Sequence, residues 1–229
     1  MIQIKDLTKS YKKRVVVNHI SFDVNEGELF ALLGSNGAGK STTIKMILGL
    51  VKKDSGEITI SQEKNIGYSP ETPYFPPFLS GMEVLKYYGK LQGIKEPELT
   101  KQCIALLDVV GLRNDRNKVK NYSKGMLQRL ALAQALLGNP DILILDEPCA
   151  GLDAMGRIEM LSLIQMLKKQ GKTIIMNSLI LNDMEKVLDK GIIMNNGVIL
   201  REFAKEEISE EENLEQIFVK TLGGAKEWE

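Results

Sequence analysis

The chain has 229 residues, enough for one large domain or two small ones. Hydrophobic residues make up 43% of it, which supports a real core and excludes a disordered chain. Thirty basic residues balance thirty acidic ones, so composition carries no nucleic-acid signal.

The two cysteines, Cys103 and Cys149, lack metal-ligand spacing, which points to a reducing compartment and no structural disulfide. Cys149 reads as a small filler residue. The start, Met1-Ile2-Gln3-Ile4-Lys5-Asp6, is no signal peptide. No apolar run approaches the ~18 residues a membrane span requires, so any membrane role needs a separate spanning subunit.

In chain order, Ile2 and Ile4 alternate with polar neighbours, as do Ser21 to Val24 after Val15-Val16-Val17. Both stretches predict short half-buried strands, joined by a turn at Lys12-Lys13-Arg14. After a turn at Asn25-Glu26-Gly27, Leu29 to Leu33 has the continuous apolarity of a buried strand. Gly34-Ser35-Asn36-Gly37-Ala38-Gly39-Lys40-Ser41-Thr42 follows, spaced as glycine, four residues, Gly-Lys-Ser. Ile44, Ile47 and Leu48 then recur at helical spacing. Strand, glycine loop and helix in that order are the context of a phosphate cradle. Glycines let the backbone wrap an anion with its N–H groups inward, and the helix start adds its positive end. In such a cradle Lys40 reaches the β- and γ-phosphates and the Ser41 hydroxyl binds Mg²⁺.

Lys53 to Gly56 closes the helix region and leads to a strand at Glu57–Ile60. Four of the seven prolines then fall between Pro70 and Pro77, a density that excludes helix and marks a junction between lobes. Ser80 and Glu83 form a capping box for a helix through Val84, Leu85, Tyr88 and Leu91 that stops at Gly93. Pro97 suits the first turn of a second helix, with Leu99, Cys103, Leu106, Leu107 and Val110 as its stripe and Gly111 as its end. In Tyr122-Ser123-Lys124-Gly125-Met126-Leu127-Gln128-Arg129, Ser123 starts a third helix carrying Leu130, Ala133 and Leu137. From the residues alone Ser123 is either a plain N-cap or an anion site.

A core strand resumes at Ile142-Leu143-Ile144-Leu145 and ends on Asp146-Glu147, where parallel sheets bind ligands. Asp146 suits a hard Mg²⁺, directly or through water, and Glu147 suits a general base that polarises water. A helix through Met160, Leu163, Ile164 and Leu167 ends at Gly171, and a strand spans Lys172 to Asn177. Met184, Val187 and Leu188 define a short helix, and Asn195-Asn196-Gly197 between Ile192–Met194 and Val198–Leu200 signals a hairpin. Leu214, Ile217 and Phe218 suggest a last helix, led in by a solvated acidic stretch from Glu206 to Glu215.

The phosphate loop, the Ser-x-Gly segment at Ser123 and Gly125, the Asp-Glu strand and Ala150-Gly151-Leu152-Asp153 together resemble an ATP-binding subunit of an ABC transporter. The resemblance runs from about residue 2 to about residue 224. It implies an α/β fold, a P-loop NTPase core with an N-terminal antiparallel β subdomain and an inserted α-helical subdomain. The expected single domain, 1–229, divides into a nucleotide-binding core (1–77 and 138–229) and a helical signature lobe (78–137).

The resemblance also implies that two such subunits, identical or different, meet head to tail. Each of two ATPs then lies between the phosphate loop of one and Ser123 and Gly125 of the other. It implies that Tyr11 stacks on adenine beside Val16, Tyr11 being otherwise a half-exposed strand-end aromatic. Asp153 would organise the dimer interface, or simply cap a helix. Tyr122 to Met126 and the tail Leu214-Glu215-Gln216-Ile217-Phe218 are similar to an exporter branch with a separately encoded six-span permease. That branch carries drugs, peptides, lipids and polysaccharides, and its ATPase is cytoplasmic, peripheral on the inner face of the cell membrane.

Two positions depart from the family pattern. Glu71 stands where the family has a glutamine; it still offers Mg²⁺ an oxygen, or is a lobe-junction acid. Leu179 stands where the family has a histidine that contacts the γ-phosphate, while the only histidine, His19, reads as structural. Losing such a preorganised donor typically costs ~2.7–4 kcal/mol, about 10²–10³ in rate. The expectation is therefore a chain that binds MgATP and dimerises but hydrolyses slowly, unless Asn177 or Ser178 substitutes in a shifted loop. Competing readings are a regulatory subunit beside an active partner, and a soluble non-transport ABC ATPase; the balanced charge argues against the latter.

Overall fold

The computed structural model describes residues 1–12, 14–61, 64–209 and 211–223. Lys13 of the predicted turn, the acid Glu210, and the end of the expected domain from Gly224 lie outside the described residues. The elements are β1 (Ile2–Tyr11), β2 (Arg14–Val24), β3 (Leu29–Gly34), α1 (Lys40–Ile47), β4 (Ser55–Ile60), β5 (Ile66–Ser69), α2 (Gly81–Leu91), α3 (Glu98–Val109), α4 (Lys124–Ala135), β6 (Ile142–Asp146), α5 (Ala154–Lys169), β7 (Thr173–Asn177), α6 (Leu181–Val187), β8 (Lys190–Asn195), β9 (Val198–Ala204) and α7 (Leu214–Gly223). Chain contacts group them into two units, residues 1–64 with the segment from Thr173 onward, and residues 65–172.

In the first unit β1 pairs antiparallel with β2 and β4. The strands expected to be short are ten and eleven residues long. The register between them shifts at three points after Ile4, and Asp6 and His19 take left-handed φ of 48° and 49°. Each bulge changes the phase of the in–out alternation, so one long strand reads in sequence as fragments.

β3 is buried along its whole length and pairs parallel on both sides, Leu29↔Ile174 to Leu32↔Asn177 on β7 and Phe30↔Lys190 to Gly34↔Met194 on β8. Two flanking ladders satisfy its backbone, and that is why an unbroken apolar run is stable there. β9 returns antiparallel along β8 through Asn196 and Gly197, whose φ of 47° and 83° suit a tight hairpin. Gly197 N–H donates to Ala38 O at 3.1 Å, and Asn18 N–H donates to Gly197 O at 2.8 Å. The hairpin thereby ties β2 to the loop that follows β3.

In the second unit β5 pairs parallel with β6, Ile66↔Ile142 to Ser69↔Leu145, and β6 is buried throughout. α3 begins one residue later than expected, with Pro97 as its N-cap. The displacement is small because Pro97 already has φ −85° and ψ −4°, and its carbonyl accepts from Lys101 N–H.

α2 starts with the expected capping box. Ser80 Oγ accepts from Glu83 N–H at 3.4 Å, and Glu83 Oε2 accepts from Ser80 N–H at 2.7 Å and from Lys118 Nζ at 2.9 Å. The Ser80 N–H, then Lys118, draw the Glu83 carboxyl from its ordinary 4.5 to about 2. A folded value below the unfolded one stabilises fully above the ordinary value, and that contribution is lost as pH falls. The stability gap between the parent and Glu83→Gln should therefore be constant near neutrality and close between pH 4.5 and about 2, read by urea unfolding across that range.

Candidate functional site

Gly34 ends β3 with φ +150°, and a Cβ there would lie 2.3 Å from Met194 O. Gly39 has φ +107°, and its Cβ would lie 2.7 Å from Val16 O. Between them the exposed residues Ser35 to Gly37 cross the top of the loop, and Ser35 Oγ donates to Asn195 Oδ1 at 3.4 Å. Gly39 is the N-cap of α1 and has no side chain to offer it; the first turn of α1 carries no acidic residue either. The N-cap thus makes no side-chain hydrogen bond to the helix start, and a helix N-terminus of this kind is an arrangement that can bind an anion. The buried Lys40 Nζ donates to Gly34 O at 2.6 Å and to Ser35 O at 3.1 Å, so its charge is held at the concave side of the loop. Ser41 and Thr42 follow half-buried in the first turn. A loop closed to a Cβ at Gly34 and Gly39, a helix start without a side-chain cap and a fixed ammonium fit a triphosphate.

In the second unit Asp146 is buried at the end of β6. Glu147, half-buried, leaves the strand with φ +49°. A non-glycine residue held left-handed typically costs ~1–3 kcal/mol, and such strain gathers where a side chain is aimed for chemistry. Tyr68 joins two of the predicted Mg²⁺ ligands: burial first, then the charge and hydrogen bond of Asp146, then the charge of Glu71, push its phenol up to about 12. Glu71 itself is exposed, and its carbonyl accepts from Gln128 Nε2 at 2.8 Å.

Ser123 caps α4, its Oγ accepting from Met126 N–H at 3.2 Å, and Asp153 caps α5, its Oδ1 accepting from Gly156 N–H at 2.7 Å. Ser123, Gly125 and Asp153 line one cleft of about 450 Å³ with Lys124, Gly151 and Leu152. Arg129 fastens its base, donating to Val110 O at 2.8 Å and pairing with Glu159 of α5.

Residues 17–150, more than half of the chain, match the family described as ABC transporter. This chain belongs to the ABC transporter family. It is 42% identical over 205 residues to YxlF of Bacillus subtilis (strain 168), an uncharacterized ABC transporter ATP-binding protein, covering 87% of this chain and 69% of YxlF. It is 38% identical over 227 residues to SrtF of Streptococcus pyogenes, a lantibiotic transport ATP-binding protein, covering 95% of this chain and 96% of SrtF. Among solved structures, the ATP-binding subunit of an ABC transporter superposes with a TM-score of 0.86 at 30% identity, covering 97% of this chain and 99% of that one. The expected α/β class, with its antiparallel β subdomain and helical insertion, is the fold of these ABC cassettes.

The other predicted site residues fall as follows. Tyr11 ends β1, exposed, with Lys9 Nζ 5.4 Å from its ring centroid. Val16 is half-buried on β2, and its carbonyl is the atom that Gly39 and Gly197 both approach. Leu179, after β7, is 54% exposed, whereas Asn177 and Ser178 are buried. His19 is exposed in the β2 bulge.

Sequence reading missed Tyr68 and Gln128. The place of Tyr68 beside β6 depends on cross-strand register, which no local pattern discloses. Gln128 is 1% exposed, with an Oε1 that accepts no hydrogen bond among the described residues. Its signal was available, a polar residue between the apolar positions of an ABC signature helix.

The loop geometry gives a graded expectation. Gly39→Ala should lower the urea midpoint by an amount equivalent to at least ~1–3 kcal/mol, and abolish the thermal shift caused by ATP. Gly37→Ala, at φ +82° with nothing within 4 Å of the new methyl, should cost less. Equal losses would show that the close approach to Val16 O is not what constrains the loop.

Proposed function

We propose that this ABC transporter ATP-binding subunit binds MgATP in the Gly34–Thr42 cradle and pairs head to tail with a second ABC ATPase subunit. Ser123 and Gly125 of that second copy complete the site, and closure drives export through a separately encoded permease. The observation that carries this reading is the uncapped start of α1 facing a glycine loop, with Lys40 Nζ fixed beside it. The single cleft that holds Ser123, Gly125 and Asp153 supports the pairing, because a surface offered to a second copy must present these residues together. Export of a peptide-like antibiotic is the direction suggested by the lantibiotic transport protein SrtF. Among the described residues no helix is long and apolar enough to cross a membrane, which suits a peripheral position on the inner face.

Each residue then has a task. The loop N–H groups and Lys40 hold the β- and γ-phosphates, and Tyr11 with Val16 receives the adenine. Ser41, Asp146 and Glu71 would hold Mg²⁺, whose charge neutralises phosphate oxygens when it is bound. Glu147 accepts a proton from the water that attacks the γ-phosphate. Leu179 presents no donor to that phosphate, so turnover by this chain alone is slow. A second reading, a regulatory subunit that binds ATP beside an active partner, is favoured by Leu179 alone.

Nucleotide binding and single-turnover hydrolysis test these assignments. Lys40→Ala should weaken ATP binding at least about tenfold. Glu147→Gln should keep binding and slow hydrolysis by about 10²–10⁴, the usual worth of a general base. Leu179→His should speed hydrolysis by up to about 10²–10³. Parent rates unchanged by that histidine would show that the position does not limit turnover.

A further inference from the structure

Strand β1 runs on past its partner β4, whose pairing with it stops at Thr8↔Ser55. Asp54, one residue before β4, takes over that edge. Its N–H donates to Thr8 O at 2.9 Å, and its Oδ2 accepts from Ser10 N–H at 2.6 Å. A carboxylate thus serves a strand N–H that the end of β4 no longer reaches. Its other oxygen does something the sheet does not require. Oδ1 accepts from Lys9 Nζ at 2.8 Å, and that ammonium lies over the Tyr11 ring, 5.4 Å from its centroid. A cation within about 6 Å of an aromatic centroid, over the face, is attracted to the ring. The Lys9 side chain is only 14% exposed, which sets this pair apart from the solvated surface pairs that contribute little. One carboxylate therefore fixes both the backbone just before Tyr11 and the charge that holds its ring, while Tyr11 stays exposed. The same pair of strands reaches the phosphate loop. β2, which pairs with β1 through Lys9↔Val17 and Tyr11↔Arg14, carries the Val16 carbonyl that Gly39 approaches.

We propose that Asp54 is a positioning residue for the nucleotide base: acting through Lys9, it holds the Tyr11 ring ready as a flat platform. The inference rests on the proposed task of Tyr11 in receiving adenine. A ring held in one orientation beforehand loses less freedom when the base lands on it, so affinity rises without a new contact to the ligand. Asp54 itself touches no part of the nucleotide on this reading, and its effect passes entirely through Lys9 and Tyr11.

The test measures MgATP binding to the full chain by calorimetry, around double-mutant cycles. Tyr11→Ala should weaken binding about five- to hundredfold, the usual worth of a base stacked on an aromatic ring. Asp54→Asn keeps an oxygen for Ser10 N–H but loses the charge that holds Lys9, and should weaken binding about three- to tenfold. Lys9→Met keeps the stem, removes the ammonium and should give the same loss. In a Tyr11→Ala background neither change should weaken binding further, whereas a merely structural residue would cost as much there as in the parent. Parent-like affinity in Asp54→Asn or in Lys9→Met, or additive losses in the double variants, overturns the role of Asp54 alone. Parent-like affinity in Tyr11→Ala, or a parent that binds no ATP, overturns the base assignment itself, and the role of Asp54 with it.

Discussion

The approach of two backbone carbonyls to two glycines sets the geometry on which the rest of the first unit depends. Met194 O and Val16 O lie where Gly34 and Gly39 would otherwise carry a Cβ. With both glycines left-handed, the chain between them curls back, and α1 begins at Lys40 without a side-chain cap. An uncapped start leaves several N–H groups aimed at one point, and a helix ordinarily hides these with serine, threonine or aspartate. On the proposed reading, that start lies where the phosphates would sit. The antiparallel sheet is thus part of the cradle. β2 supplies the Val16 carbonyl, and the β8–β9 hairpin supplies Met194 O and the link from Ala38 through Gly197 to Asn18.

In the second unit α2, α4 and α5 start the opposite way, whereas α3, with Pro97 as its N-cap, has no side-chain cap. α4 and α5 both carry side-chain caps, Ser123 and Asp153, and both caps open into one cleft. A serine that accepts from a backbone N–H still has its own O–H to donate, so capping and anion contact are compatible in Ser123. An aspartate has no such spare donor, and Asp153 offers a partner only acceptors or its backbone. The two readings left open for each residue in the sequence are therefore not exclusive for Ser123. Arg129 keeps this surface in register, because its guanidinium bridges the end of α3 and the side of α5 from a position on α4. Its planar fork suits that double duty in a way a lysine would not.

What the sequence disclosed was whatever is written locally. The glycine spacing, the unbroken apolar runs of β3 and β6, the capping box at Ser80 and the Asn-Asn-Gly hairpin each depend on a few adjacent residues, and all recur in the fold. The lengths of β1 and β2 were not legible, because bulges at Asp6 and His19 reset the alternation that a strand reading relies on. Tyr68 was hidden for a different reason. A tyrosine in a short strand is ordinary, and only its pairing opposite Ile144 brings it near the end of β6 that carries Asp146. Gln128 needed tertiary contact too, since nothing near it in sequence reveals that Glu71 O is its acceptor.

The end of β7 bears on how the missing histidine is to be read. Asn177 and Ser178 were the residues that would replace it if the loop shifted, and both are buried. Ser178 Oγ already accepts from Ile180 N–H at 3.1 Å, a contact that shapes the turn into α6, and Asn177 has partners of its own. Moving either one outward would break those contacts and expose part of a strand end packed beside β3. An intramolecular hydrogen bond contributes about 0.5–1.5 kcal/mol net, but stranding a buried partner costs about 1–3 kcal/mol. Leu179, by contrast, is already outside, and an exposed leucine is ordinary and costs little to leave where it is. The local energetics therefore favour a loop that keeps its present form, with an apolar side chain at the family's donor position. On the proposed reading, a donor for the γ-phosphate at this corner has to come from another chain or be absent.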